Sequence, residues 1–433
     1  MTEIWLTGIF LALLFFFLGT GVWIGISLIG VSAVGMALFT PRPVGDAMAI
    51  TVWGMSSSWT LTALPLFIWM GEILFRTKLS ESLFRGLAPL MSRLPGGLLH
   101  VNVAGCAIFA AISGSSAATV ATVGKMSIPE LRRRNYPERM IVGTLAGAGT
   151  LGLLIPPSII LIIYGVTVNE SIAQLFVAGV LPGIVLAAMF MGYVAVWGML
   201  TRNAGAMAEE AVPWRDKLRA IRLLIPVVLL IVAVIGSIYT GIATATEAAV
   251  FGVVGALVLS LAQGSLTRAS FMEALMGATR TSSMIALILA GSGFLSLAMG
   301  FTGLPRALAE TIAGWQLSPI ALIAALTAFY IVLGCFLDGI SAVVLTMAVI
   351  EPLVRSYGFD MVWFGIYLVV VVEMAQITPP VGFNLFVLQG MTGRDMGFIA
   401  RAALPMFLIM IAAVALLVAF PDIATFLPRQ MMG

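Results

Sequence analysis

The chain has 433 residues, of which 61% are hydrophobic and 9% charged, with a formal net charge of +3. A soluble domain carries about 25% charged residues, so the composition excludes a water-soluble globular protein and reads as a polytopic membrane protein. Cys106 and Cys335 sit in apolar segments and give no support for a disulfide framework. The single His100 lacks Cys or acidic neighbours at metal-ligand spacing, which leaves it a packing or interfacial role.

In chain order, Ile4 to Thr40 runs 37 residues without a charge. A span needs about 20 apolar residues, so two spans are predicted, joined tightly at Gly19-Thr20-Gly21. No basic stretch precedes the first oily run, which is therefore read as a span and not as a cleaved signal peptide. An amphipathic piece follows over Thr77 to Arg93. The run AAISGSSAATVATVG (110–124) is apolar but interrupted by small polar residues, and LGLLIPPSIILIIYG (151–165) carries two adjacent prolines. One more span leads to the hydrophilic segment Thr201 to Ile221, read as a cytoplasmic linker that is partly an amphipathic surface helix. Beyond it the same order returns: an amphipathic piece over Thr302 to Trp315, the interrupted run GCFLDGISAVVLTMAV (334–349), the double proline in EMAQITPPVGFNLFVLQG (373–390), and a last span.

The chain is thus written twice. Pro129, Pro156, Pro157 and Pro182 recur 223 residues later as Pro352, Pro379, Pro380 and Pro405. Upstream the offset is 225, pairing Thr77 with Thr302, Leu79 with Leu304, Gly114 with Gly339 and Ser116 with Ser341. Long repeats in a membrane protein point to a transporter built from two similar halves. The first covers 1–200, with a hairpin over about 94–131 and a broken helix over about 139–165; the linker is 201–221. The second covers 222–433, with a hairpin over about 319–354 and a broken helix over about 361–390.

If each interrupted run turns back at its glycine-serine tip, each half has five true spans and the halves are inverted. An outside N-terminus then puts both termini outside and 18 of the 22 basic residues inside, in accord with the positive-inside tendency. The basic clusters around Arg132–Arg134 and Arg215–Arg222 are on this reading topology signals, not a nucleic-acid surface. The expected fold is an all-α polytopic membrane protein of inverted repeats, with two re-entrant helical hairpins and two proline-broken transmembrane helices.

Two adjacent prolines remove two intrahelical donors, and the carbonyls four residues upstream lose their partners. These belong to Gly152 and Leu153 in the first half, and to Ala375 and Gln376 in the second. Bare carbonyls inside a bilayer are tolerated only against protein or a cavity, where they are good ligands for sodium. The tip Ser113-Gly114-Ser115-Ser116 is expected to meet the break at Gly152 and Leu153. The tip carrying Asp338, Gly339 and Ser341 is expected to meet Ala375, Gln376 and Thr378. Two sodium sites near the membrane midplane result. Thr119, Pro156, Pro157, Pro379, Pro380 and Asn384 are expected close to a substrate. Asp338 either binds the ion or caps the second hairpin arm. Glu247 is read as complementing a helix N-terminus, while Glu72 and Glu373 receive no chemical role.

The stretches GLLIPPSIILIIYG, TGIATATEAAV, FLDGISAVVLTMAVIEPLV and EMAQITPPVGFNLFV resemble the large membrane subunit of tripartite ATP-independent periplasmic (TRAP) transporters, the dicarboxylate-type permease family. The likeness covers nearly the whole chain, with Ala245 where the family commonly has proline. It implies a bacterial inner-membrane permease that works with a separate small four-span membrane subunit and a soluble periplasmic substrate-binding protein. It further implies sodium-driven import of an organic acid such as a dicarboxylate or sialic acid, by elevator-type movement of hairpins and broken helices. Sodium is the coupling ion; no other cofactor is expected. An intramembrane hydrolase lacks any Ser/His/Asp arrangement or metal motif here. The Ser/Gly tips could line a channel pore, but duplicated hairpins fit alternating access better; a stand-alone ion or organic-anion transporter of related fold using protons, or a channel, is the alternative.

Overall fold

The computed structural model describes residues 2–432 apart from 77–78, 202–212, 336 and 381; Thr77 and most of the expected linker lie outside the described residues. Every regular element among the described residues is a helix. Among the described residues six helices are long and apolar enough to cross a membrane, and up to eight spans result if two bent pairs each count as one. The chain is a multi-pass membrane protein.

Short polar residues set where the helices start. Ser115, Ser158, Ser318, Asp338 and Asp360 each accept a backbone N–H from the first turn of the helix they precede, pairing a donor that lipid could not. Thr244 and Glu247 close a reciprocal capping box ahead of Ala245–Ala262, the helix-start role expected of Glu247.

The oily N-terminal run forms Thr2–Gly19 and Ile24–Phe39. Next, Val44–Ser56 and Trp59–Phe75 form a pair bent by 54°. The sequence gives no proline for this break: the first helix closes through the Ser57 and Ser58 amides, which take the Trp53 and Met55 carbonyls, and the chain turns there. In the second half Trp214–Tyr239 is one helix of 26 residues that absorbs the tail of the expected linker. Arg268–Thr302, at 35 residues, packs along Ile24–Phe39 and Ala63–Phe75. These helices form one side of the molecule.

The other side holds two helical hairpins and two interrupted helices. The first hairpin is Leu99–Ser113 and Ser116–Arg133, reversed at Gly114. Glu138–Leu154 and Ile159–Val168 flank the first double proline with a bend of 41°. The second hairpin is Pro319–Gly334 and Gly339–Ser356. Met361–Gln376 and Phe383–Thr392 flank the second double proline.

Matched positions in the two halves make matched contacts. Asn102 donates to the Thr144 hydroxyl at 2.9 Å, tying the first hairpin to the first interrupted helix. Thr327 and the Tyr367 hydroxyl, at the corresponding positions, do the same at 2.8 Å in the second half. Other contacts cross between halves. Arg132 at the base of the first hairpin donates to the Thr392 carbonyl at 3.3 Å, at the end of the second interrupted helix. Arg355 at the base of the second hairpin donates to the Val168 carbonyl at 3.1 Å, at the end of the first. A cation on the last carbonyls of a helix complements its dipole, so each half closes the helix of the other.

Candidate functional site

At the first tip, Gly114 takes the left-handed conformation (φ +57°), which favours glycine. A Cβ there would lie 2.9 Å from the Pro157 carbonyl oxygen, and one on Gly152 would lie 2.6 Å from the Ser115 carbonyl oxygen. Backbone thus rests directly on backbone, and the first tip is seated in the first break. The tip hydroxyls close on themselves. Ser113 and Thr119 share a hydrogen bond of 2.8 Å, and Thr119 also donates to the Ser115 carbonyl at 2.8 Å.

At the second tip, the Asp338 carboxylate accepts from the Ile340 and Ser341 amides at 3.2 and 3.3 Å, and from the Ser341 hydroxyl. The capping half of the Asp338 alternative is therefore present. Gly339 faces the second interrupted helix: a Cβ there would sit 2.8 Å from Val372 Cγ1 and 3.4 Å from Gln376 Nε2. Gly334 packs against Ala375, and the Cys335 thiol lies 3.3 Å from the Pro379 carbonyl oxygen.

The four upstream carbonyls do not share one fate. Ser158, directly after the first double proline, turns its hydroxyl back to the Leu153 carbonyl. The Thr378 amide takes the Ala375 carbonyl at 3.1 Å. Gly152 and Gln376 lose their helical donors, since the residues in that register, Pro156 and Pro380, have no N–H; among the described residues no other backbone amide outside the helices takes either carbonyl. Thr378 spends its own hydroxyl on the Met374 carbonyl at 2.8 Å.

Both tips and both breaks open onto one crevice of about 580 Å³. Ser113–Ala118, Leu153 and Ile159 line it from the first half, and Asp338–Ser341, Gln376 and Phe383 from the second; Gly71, Glu72, Phe75, Thr281 and Met284 form the facing wall. Thr119, the four prolines and Asn384 are not among its described lining; Thr119 and Asn384 are fully buried behind it. Lys and Arg are likewise absent from that lining. Arg76, next to the wall, is held by Glu72 at 3.2 Å and Glu273 at 2.6 Å. Two of the residues without an assigned role acquire a place: Glu72 in the wall, and Glu373 buried behind the first tip. Among the described residues no three His, Cys, Asp or Glu side chains converge on one point.

Against known proteins, residues 11–423 match the family described as tripartite ATP-independent periplasmic transporter, DctM component. A C4-dicarboxylate TRAP transporter large permease of Pseudomonas aeruginosa is 32% identical over 92% of both chains. An ectoine TRAP transporter large permease of Halomonas elongata is 30% identical over 85% of this chain and 86% of its own. The crystal structure of the Alcanivorax borkumensis YdaH transporter superimposes with a TM-score of 0.64 at 14% identity, covering 93% of this chain and 98% of that one, which bears on the fold alone. With the family model matched over nearly the full length and a relative 32% identical over 92% of both chains, the chain belongs to the DctM family of TRAP transporter large permeases.

Proposed function

We infer that this chain is the permease subunit of a sodium-coupled secondary transporter, importing a small organic acid handed over by a periplasmic binding protein. The observation that carries this reading is the single crevice onto which two hairpin tips and two broken helices open. Helix N-termini at Ser116 and Gly339 point positive dipole ends toward it, a setting suited to a carboxylate. With no Lys or Arg in the described lining, the anion relies on those dipoles, on the tip hydroxyls and on bound cations. The Gly152 and Gln376 carbonyls, with Ser113–Ser116 on one side and Asp338, Ser341 and Thr378 on the other, are the oxygens offered to two sodium ions. Relatives named for C4-dicarboxylates and for ectoine support an organic acid as cargo.

Transport follows by movement of the hairpins and interrupted helices as one body against the helices of the facing wall, in the manner of an elevator. The crossed clamps of Arg132 and Arg355 support that division, since they hold elements of both halves together. The halves are taken as inverted repeats, the termini as periplasmic, the membrane as the bacterial inner membrane, and a small four-span subunit as the membrane partner. Reconstitution with both partners in liposomes tests this. Uptake of labelled C4-dicarboxylate or ectoine should require an inward sodium gradient. Uptake that follows a proton gradient without sodium refutes the coupling, and current that persists with hairpins cross-linked to the wall would mark a channel.

A further inference from the structure

Glu373 is a buried carboxylate on Met361–Gln376, three residues before the second break. It is 1% exposed, and among the described residues neither carboxylate oxygen has a hydrogen-bond partner. The group nearest in kind is the Ser116 hydroxyl, which faces it from the first tip without reaching hydrogen-bond geometry. A buried carboxylate without a counter-charge or a made hydrogen bond is among the costliest arrangements a protein interior can hold.

A second buried polar side chain lies near the same hairpin arm. Asn384 is 0% exposed, and among the described residues neither its amide oxygen nor its amide nitrogen has a partner. It lies beside Gly149, with Val120 of the first hairpin against the same glycine. Ser116 and Val120 are four apart on one helix, so the two polar groups stand about one turn from each other along a single arm. The corresponding position in the first half shows what a satisfied residue looks like. Thr150, 223 residues before Glu373, donates its hydroxyl to the Gly147 carbonyl at 2.6 Å and asks for no ligand.

We propose that Glu373 supplies the negative charge of the cation site at the first tip, reaching it from the opposite half of the chain, with the Ser116 hydroxyl and the Asn384 amide oxygen beside it. The ligand is a monovalent alkali cation of sodium size. The first tip carries no charged side chain of its own, whereas the second has Asp338; Glu373 gives the first unit the matching carboxylate. This rests on the sodium-coupled reading above and adds a ligand to it that neither the tips nor the breaks contain.

The test is ²²Na binding to the full-length protein in nanodiscs, with choline holding ionic strength constant, alongside sodium-dependent thermal stabilisation. Glu373→Gln should bind one sodium fewer per chain, and its remaining sodium response should be abolished by adding Asp338→Asn. Asn384→Leu should weaken the same site by about tenfold. Glu373→Asp, a safeguard should the glutamine variant misfold, should keep the ion at reduced affinity. Undiminished ²²Na stoichiometry in Glu373→Gln, or unaltered affinity in Glu373→Asp, overturns the assignment and leaves sodium coupling standing. A wild-type protein that binds no ²²Na overturns the coupling itself. Stabilisation of wild type by acid equally in choline and in sodium makes the occupant a proton and also overturns the proposal.

Discussion

The two tip–break units are built on one plan and finished differently. In the first, a neutral tip presses its backbone onto Gly152, and Ser158 closes the Leu153 carbonyl. In the second, a carboxylate occupies the tip, and the chain closes the Ala375 carbonyl with its own Thr378 amide. Among the described residues each break therefore leaves one carbonyl without a donor, but at positions one step out of register, Gly152 against Gln376. The backbone interruption is what the duplication preserves. Which oxygen stays open is decided by the side chain or amide that happens to fold back.

The comparison can be broken most severely at Gly152. A Val there drives Cβ onto the Ser115 carbonyl and the Ser116 Cα, 2.6 and 2.7 Å away, and backbone cannot yield. Gly152→Val should lose uptake and about 3 kcal/mol of stability, read by transport and thermal unfolding. Uptake near wild type would show that the first tip does not depend on this seat. Next in size, Ser158→Ala strips the Leu153 carbonyl of its donor at a cost of about 2 kcal/mol. Thr378→Val should cost less, because the Met374 carbonyl it frees also accepts the Ile377 amide at 3.2 Å.

A smaller effect separates the tips by charge. Asp338→Asn should raise the sodium concentration for half-maximal uptake by about tenfold, ~1.4 kcal/mol, while Ser113→Ala in the neutral tip should change it less. Equal shifts would erase the distinction between the units. The smallest effects concern the crossed clamps. Arg132→Ala and Arg355→Ala should each lower stability by about 1 kcal/mol and by similar amounts, since both side chains are partly exposed. A marked inequality in unfolding temperature would mean that the clamps are not equivalent.

Much was readable from the chain itself. Charge-free runs and doubled prolines establish a multi-spanning helical protein and mark where its helices break, because lipid leaves backbone polar groups no partner but their own helix. The tips were legible for the same reason: glycine and serine amid apolar residues have few other uses there. The crossed arginine clamps were within reach too, since Arg132 and Arg355 obey the 223-residue offset, but their targets are carbonyls, which carry no residue signature. The break at Ser57–Ser58 lacked proline and left no comparable mark.

What the sequence by itself determined is therefore local: which segments are oily enough to span, where their hydrogen-bond ladders must fail, and which residues cap each restart. Only the tertiary structure decided which freed carbonyls are recaptured, that both tips share one crevice, and that Glu373 stands behind the tip of the other half. Those outcomes depend on groups far apart in the chain meeting in a medium with little water to substitute for them. A residue's type shows that it needs a partner; packing alone determines who that partner is.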